Sequence, residues 1–161
     1  QTIEEQRGPI AGKTLAWVGD GNNVCHSFMH AAPKFGFRFN VACPADYHPD
    51  LRDLARGGDH VALTSDPREA VAGADVVITD PWVSMGDGDY EDRLAAFESY
   101  TVDAGLMAVA SPDAVFLHCL PAHRGEEVTD AVIDGPQSLV WDEAENRIHA
   151  QKAVLAWCLK G

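Results

Sequence analysis

The sequence contains no apolar run approaching the roughly eighteen residues that a membrane-spanning helix requires, and no charged segment leading into an apolar one marks a secretory signal. A soluble, cytoplasmic protein is therefore expected. Basic residues are scarce: 12 Lys and Arg stand against 25 Asp and Glu, a net charge of −13 at pH 7. That balance argues against nucleic acid or an anionic membrane as the partner and is compatible with a small cationic substrate. Cysteine is sparse too, and Cys25, Cys43, Cys119 and Cys158 form no C-x-x-C pair and no zinc-like spacing. Reduced thiols packed as small hydrophobes are the reading for all but Cys119. His26 and His30 lie on one predicted helix but lack the glutamate and third ligand of an H-E-x-x-H site, so they read as surface or core histidines and no metal is expected. Internal repeats, low-complexity tracts and linkers are absent as well, which leaves residues 1–161 as one domain.

What is present is ordinary globular material, 46% hydrophobic and 23% charged, enough for a real core. Strand-like apolar runs cover 14–19 (TLAWVG), 37–43, 61–64, 75–79, 115–118 and 139–141. Helical patterns or start signals cover 23–35, 49–56, 66–72, 91–100, 103–110, 129–133 and 143–159. Because strand and helix alternate, the economical fold is α/β, a doubly wound parallel sheet of the Rossmann-like kind with helices on both faces.

Two polar clusters follow two of these strands. His118-Cys119-Leu120-Pro121-Ala122-His123-Arg124-Gly125 succeeds the run Ala114-Val115-Phe116-Leu117, and Thr79-Asp80-Pro81-Trp82-Val83-Ser84-Met85-Gly86 succeeds Asp75-Val76-Val77-Ile78. Open parallel sheets bind ligands at the carboxyl ends of their strands, so the two clusters suggest one site. The first strand ends in Gly19-Asp20-Gly21-Asn22-Asn23-Val24, an incomplete dinucleotide fingerprint. The third glycine is replaced by Val24, and Cys43-Pro44 stands where an acidic residue would meet a ribose, which argues against a nicotinamide cofactor. The glycines instead permit a tight turn that leaves Asn22 and Asn23 at a helix start, one to cap and the other to face the crevice.

Taken in order, Trp17 to Asn23, Thr79 to Gly86, His118 to Pro121 and Glu143-Ala144-Glu145-Asn146-Arg147 resemble the carboxyl-terminal, ornithine-binding domain of the ornithine carbamoyltransferases, from Gly12 to the end of the chain. The family's amino-terminal half, with its S-x-R-T loop and H-P-x-Q segment, has no counterpart in these residues. The resemblance implies carbamoyl transfer from carbamoyl phosphate to the side-chain amine of L-ornithine, giving citrulline and phosphate without a cofactor. It further implies an amino-terminal carbamoyl-phosphate domain as partner and a homotrimer or higher multiple. Such chemistry needs two substrates held together, a neutral attacking amine and a stabilised tetrahedral intermediate.

By resemblance, Asp80 grips the reacting amine or ornithine's α-ammonium, and Cys119 makes polar contact with that amine and the carbamoyl group. Those two are the expected catalytic residues. Asn23, Ser84 and Met85 join Asp80 in contacting ornithine, with the glycine-rich stretch 85–89 closing over it. Cys119, Leu120 and Arg147 contact carbamoyl phosphate, a forked cation suiting that anion. His118 is expected to support its loop, and His123 and Arg124 are left outside the site. Two other readings stay open: a relative acting on acetylornithine or another amine, and a non-catalytic amino-acid-binding module.

Overall fold

A computed structural model of the chain describes residues 1–83 and 90–160. Among the described residues five strands, β1 (Thr14–Val18), β2 (Arg38–Ala42), β3 (Val61–Thr64), β4 (Val76–Thr79) and β5 (Val115–His118), form one sheet in the order β3-β2-β1-β4-β5. Every pairing is parallel. The helices, in chain order, are α1 (Thr2–Arg7), α2 (Asn23–Phe35), α3 (Leu51–Gly57), α4 (Pro67–Val71), α5 (Tyr90–Phe97), α6 (Ala104–Met107), α7 (Asp130–Ile133) and α8 (Val140–Lys160).

Alternation along the strands divides the core in two. Leu15, Trp17, Val76, Ile78, Val115 and Leu117 point to one face, where Cys25, Met29 and Ala32 of α2 cover them. Ala16, Val18, Val77 and Phe116 point to the other, beneath Ala70 and Val71 of α4, Phe97 of α5 and Val132 and Ile133 of α7. Both faces of a parallel sheet must be buried because crossover helices lie on each, which explains why the strands read as continuous apolar runs. Chain order reverses at the β1–β4 junction, and that reversal opens the crevice at the carboxyl ends of the two strands.

Local chemistry sets the helix boundaries. The Asn22 side chain caps α2 by accepting from the Val24 and Cys25 amides, and Gly36 ends the helix in the left-handed conformation at φ 73°. Asp50 and Asp66 cap α3 and α4 in the same manner. His26 and His30 both turn to Asp53, at 3.4 and 2.7 Å, and so tie α2 to α3.

Two expectations change. The run 139–141 is not a strand: Ser138 makes a single bridge to Phe116, and α8 begins at Val140. Asp142 and Glu143 in the first turn favour the helix through its dipole, which outweighs the strand preference of an isolated Val-Trp pair. Residues 2–7, for which no element was expected, form α1. Asn146 of α8 donates to Thr2 Oγ1 at 2.9 Å and to Glu5 Oε2 at 2.7 Å, holding α1 against the last helix. Beyond that contact α8 is exposed on all sides, Trp157 and Leu159 included. Finally, no described helix is long and apolar enough to cross a membrane.

Because Phe116 is fully buried at the centre of β5 while Phe35 is 60% exposed at the end of α2, truncating the two should have unequal costs. Phe116→Ala is expected to lose about 3–5 kcal/mol of unfolding free energy and Phe35→Ala under about 1 kcal/mol, as measured by urea denaturation.

Candidate functional site

Three loops at the β1–β4 junction build the crevice. After β1 the chain turns through Gly19, at φ 147°, and Gly21, whose amide donates to Tyr47 O at 2.9 Å. A Cβ on Gly21 would lie 2.4 Å from Pro49 N, so only glycine allows this approach. The turn delivers Asn22 to the mouth of the crevice.

After β4, Thr79 anchors its hydroxyl on Val18 O at 2.5 Å, and Asp80 follows with its side chain turned inward. Asp80 is only 4% exposed, and its Oδ2 accepts from Asn22 Nδ2 at 2.7 Å. Oδ1 is buried without a hydrogen-bond partner among the described residues. A carboxylate stripped of water prefers its neutral form, and burial is the main reason that Asp80 is pushed up to about 7, with the negative charge of Asp20 adding to it. The Asn22 amide opposes that shift by stabilising the anion.

Arg93 fastens the loop from the other side. Its guanidinium pairs with Asp20, its Nε donates to Trp82 O at 2.7 Å, and its Cζ sits 4.7 Å above the Tyr47 ring. One side chain of α5 thereby joins the segments that follow β1 and β4.

After β5, His118 is buried and its ring is used on both sides. Nδ1 accepts from the Leu120 amide at 2.9 Å, which leaves the ring proton on Nε2 to reach Glu127 Oε1 at 3.1 Å. Glu127 also accepts from the His123 amide at 2.6 Å. Held this way, Leu120 adopts φ 54°, a left-handed conformation uncommon for a non-glycine residue and frequent at functional loops. From α8, Glu143 reaches back to accept from the His118 amide at 3.0 Å, and burial pushes its carboxyl above the ordinary range.

Cys119, half-buried between these supports, is pushed up to about 11, chiefly by burial and then by the negative charges of Asp80 and Glu143. It is a neutral thiol at physiological pH. Arg147, one helical turn beyond Glu143, is exposed and exerts a weaker opposing pull on Cys119. It also borders a cavity of about 310 Å³ between α1, α2 and α8, lined by Phe28, Phe37 and Leu117 among others. That cavity lies on the α2 side of the sheet and is mostly apolar, with Glu4, Glu143, Asn146 and Arg147 also on its wall, so the crevice around Asp80 is the better place for chemistry.

Asp80, Cys119 and Leu120 thus come together, with Arg147 at the rim. Asn23 stands exposed at the first turn of α2. Ser84 and Met85, like the whole stretch 85–89 expected to close over substrate, lie outside the described residues. The sequence reading missed Asn22 as the partner of Asp80, together with the supporting Glu127, Glu143 and Arg93. The only available signal was for Asn22, a capping residue placed directly after the glycine turn.

A family model described as the Asp/Orn-binding domain of aspartate/ornithine carbamoyltransferase matches residues 11–158. The chain is 71% identical over 160 residues to an ornithine carbamoyltransferase of Caulobacter vibrioides, covering 98% of this chain and 51% of that protein. It is 60% identical over 163 residues to that of Rhizorhabdus wittichii, covering 99% of this chain and 52% of that protein. Among solved structures, ornithine carbamoyltransferase from Pyrococcus furiosus superposes with a TM-score of 0.88 at 51% identity, over 96% of this chain and 52% of that one. The chain therefore spans about half the length of the relatives it matches.

A buried carboxylate with a pKa near neutrality destabilises the fold as it ionises. Since Asp80 titrates higher folded (about 7) than its ordinary value of 3.8, the native state binds the extra proton and stability falls as pH rises through that window. Asp80→Asn removes the effect. Its stability relative to the parent chain should grow by roughly 2–3 kcal/mol between about pH 5 and pH 8, read from urea denaturation at each pH; a pH-independent difference would place Asp80 in solvent. With the sheet, the crevice and these matches together, the chain belongs to the aspartate/ornithine carbamoyltransferase family, in the domain that the family model names for Asp/Orn binding.

Proposed function

We propose that this chain supplies the ornithine-binding half of an enzyme that transfers the carbamoyl group of carbamoyl phosphate to L-ornithine. The observation that carries the reading is the desolvated Asp80 carboxylate beside the neutral Cys119 thiol at the strand-order reversal. Asp80 attracts the ammonium, and its pKa near the working pH suits it to accept a proton from the attacking amine. Cys119, neutral up to about pH 11, serves as a hydrogen-bonding and packing group and not as a base.

Asn23 at the exposed start of α2 reaches the amino-acid end of ornithine, together with Ser84 and Met85. On the opposite side Leu120, in its left-handed conformation, presents its backbone to the carbamoyl group, and Arg147 meets the phosphate. The remaining anion contacts come from the half of the relatives that this chain does not span. Exposed Val154, Leu155, Trp157 and Leu159 on the last turns of α8 offer the apolar surface on which that half seats. The whole enzyme is read as a cytoplasmic homotrimer or higher multiple serving arginine biosynthesis, and four unpaired thiols suit a reducing compartment.

The full-length enzyme carrying Asp80→Asn should lose about 2–4 kcal/mol in ornithine-dependent kcat/KM, while its affinity for carbamoyl phosphate changes far less. Separate titration of the two substrates checks this: equal losses would indicate misfolding, and undiminished ornithine kinetics would remove Asp80 from the role. Replacing ornithine by acetylornithine in the same assay should abolish turnover. The chain 1–161 alone should release no citrulline above background at saturating substrates, because the proximity of two substrates is lost.

A further inference from the structure

We propose that His123, Glu126 and Glu127 form a binding site for a divalent transition metal of the zinc type. One ligand atom from each, an imidazole nitrogen and two carboxylate oxygens, can be chosen so that all three lie within 4.8 Å of one another. Three ligands of a tetrahedral zinc ion stand about 3.4 Å apart at bond lengths near 2.1 Å. Closing that difference needs only small side-chain rotations, which the exposed His123 and half-buried Glu126 can make.

Glu127 provides the independent observation. Its side chain is fully buried, and its Oε1 is occupied by the His118 ring at 3.1 Å and the His123 amide at 2.6 Å. Among the described residues its Oε2 is buried without a hydrogen-bond donor, and it faces His123 Nδ1 at 3.7 Å. A carboxylate oxygen removed from water and left unbonded is costly, and a cation placed between Oε2 and Nδ1 would satisfy it. Arg124, the nearest guanidinium in sequence, is committed elsewhere, to Asp130 at 2.7 Å and Asp134 at 2.5 Å.

Both carboxylates are also oriented as metal ligands usually are, with one oxygen fixed by an outer partner. Tyr90 donates its hydroxyl to Glu126 Oε1 at 2.7 Å, as His118 does to Glu127 Oε1. A set of one imidazole and two carboxylates suits Zn²⁺, Co²⁺ or Ni²⁺ better than Mg²⁺ or Ca²⁺, which prefer oxygen alone. A cation there would lock Glu127, and through it the His118 ring that holds the Leu120 amide. The site would stiffen the loop that carries Cys119.

Equilibrium dialysis of the full chain against CoCl₂, followed by visible absorption, tests the assignment. One Co²⁺ per chain is expected, with weak bands from nitrogen and oxygen ligands, and His123→Ala and Glu126→Gln should each weaken binding at least about tenfold. Neither residue lies in the core, and circular dichroism confirms that each variant is folded; two independent variants keep the test valid if one is not. Failure to retain Co²⁺, equal retention by both folded variants, or an intense thiolate-to-metal band placing the ion on Cys119 or Cys158 would overturn the proposal.

Discussion

The contact between Asn22 and Asp80 is the constraint around which the crevice is arranged. Asn22 uses its carbonyl oxygen to cap α2 and its amide to hold the carboxylate at the end of β4, so one residue fixes the start of a helix and the position of a charge. It can do both only because β1 and β4 are neighbours, and they are neighbours only because the strand order reverses between them. Gly19 and Gly21 keep the connecting turn short enough for this reach. The fold thus places a carboxylate where water cannot solvate it fully, and the neutral-range pKa of Asp80 follows from that placement and not from any special partner.

A second network performs the corresponding task after β5. His118 neither faces the crevice as a reactive group nor sits idle in the core, because both ring nitrogens are engaged in shaping its own loop. Glu127 secures the ring from below, and Glu143 secures the backbone from α8. The strained Leu120 and the half-buried Cys119 are therefore presented by a scaffold with three separate anchors. Under the proposed function, rigid presentation would matter for a thiol that contributes by position, since a neutral sulfur gains little from charge.

Much of this was legible in the sequence because each strand is a short apolar run bounded by glycine, proline or charge. The bounds of β3, β5 and α2 match those read from the sequence, and the structure closes α2 with Asn22 at one end and Gly36 at the other. Likewise Asp80 and Cys119 were visible as polar residues at the ends of apolar runs. What could not be read is whatever depends on distant pairing. Glu127 and Glu143 lie nine and 25 positions from His118, and nothing local marks them as its supports. Asn22 reads as a simple cap until β4 is known to lie beside β1. The segment 139–141 misled because a Val-Trp pair favours a strand, while the acidic turn behind it decides for a helix. α1 is too short to announce itself and owes its place to Asn146, more than a hundred residues away in sequence.

A buried carboxylate of this kind is costly to ionise. With no cation present, Asp80 near neutral pH is divided between a proton that quenches its charge and an anion that lacks water. Under the proposed function, a ligand ammonium entering beside it would replace the missing solvation, lower its pKa and recover free energy that the fold had given up. Under the proposed function, binding and folding would be linked through one group, and stability given up in building the site would return as selectivity for a cation. The same logic explains why Cys119 is best left neutral. A thiolate beside Asp80 and Glu143 would add a third negative charge to a confined space, and burial together with those two carboxylates prevents it. The crevice therefore sets a carboxylate that titrates near neutrality beside a neutral thiol, an arrangement that, under the proposed function, would suit an amine that arrives charged and must react uncharged.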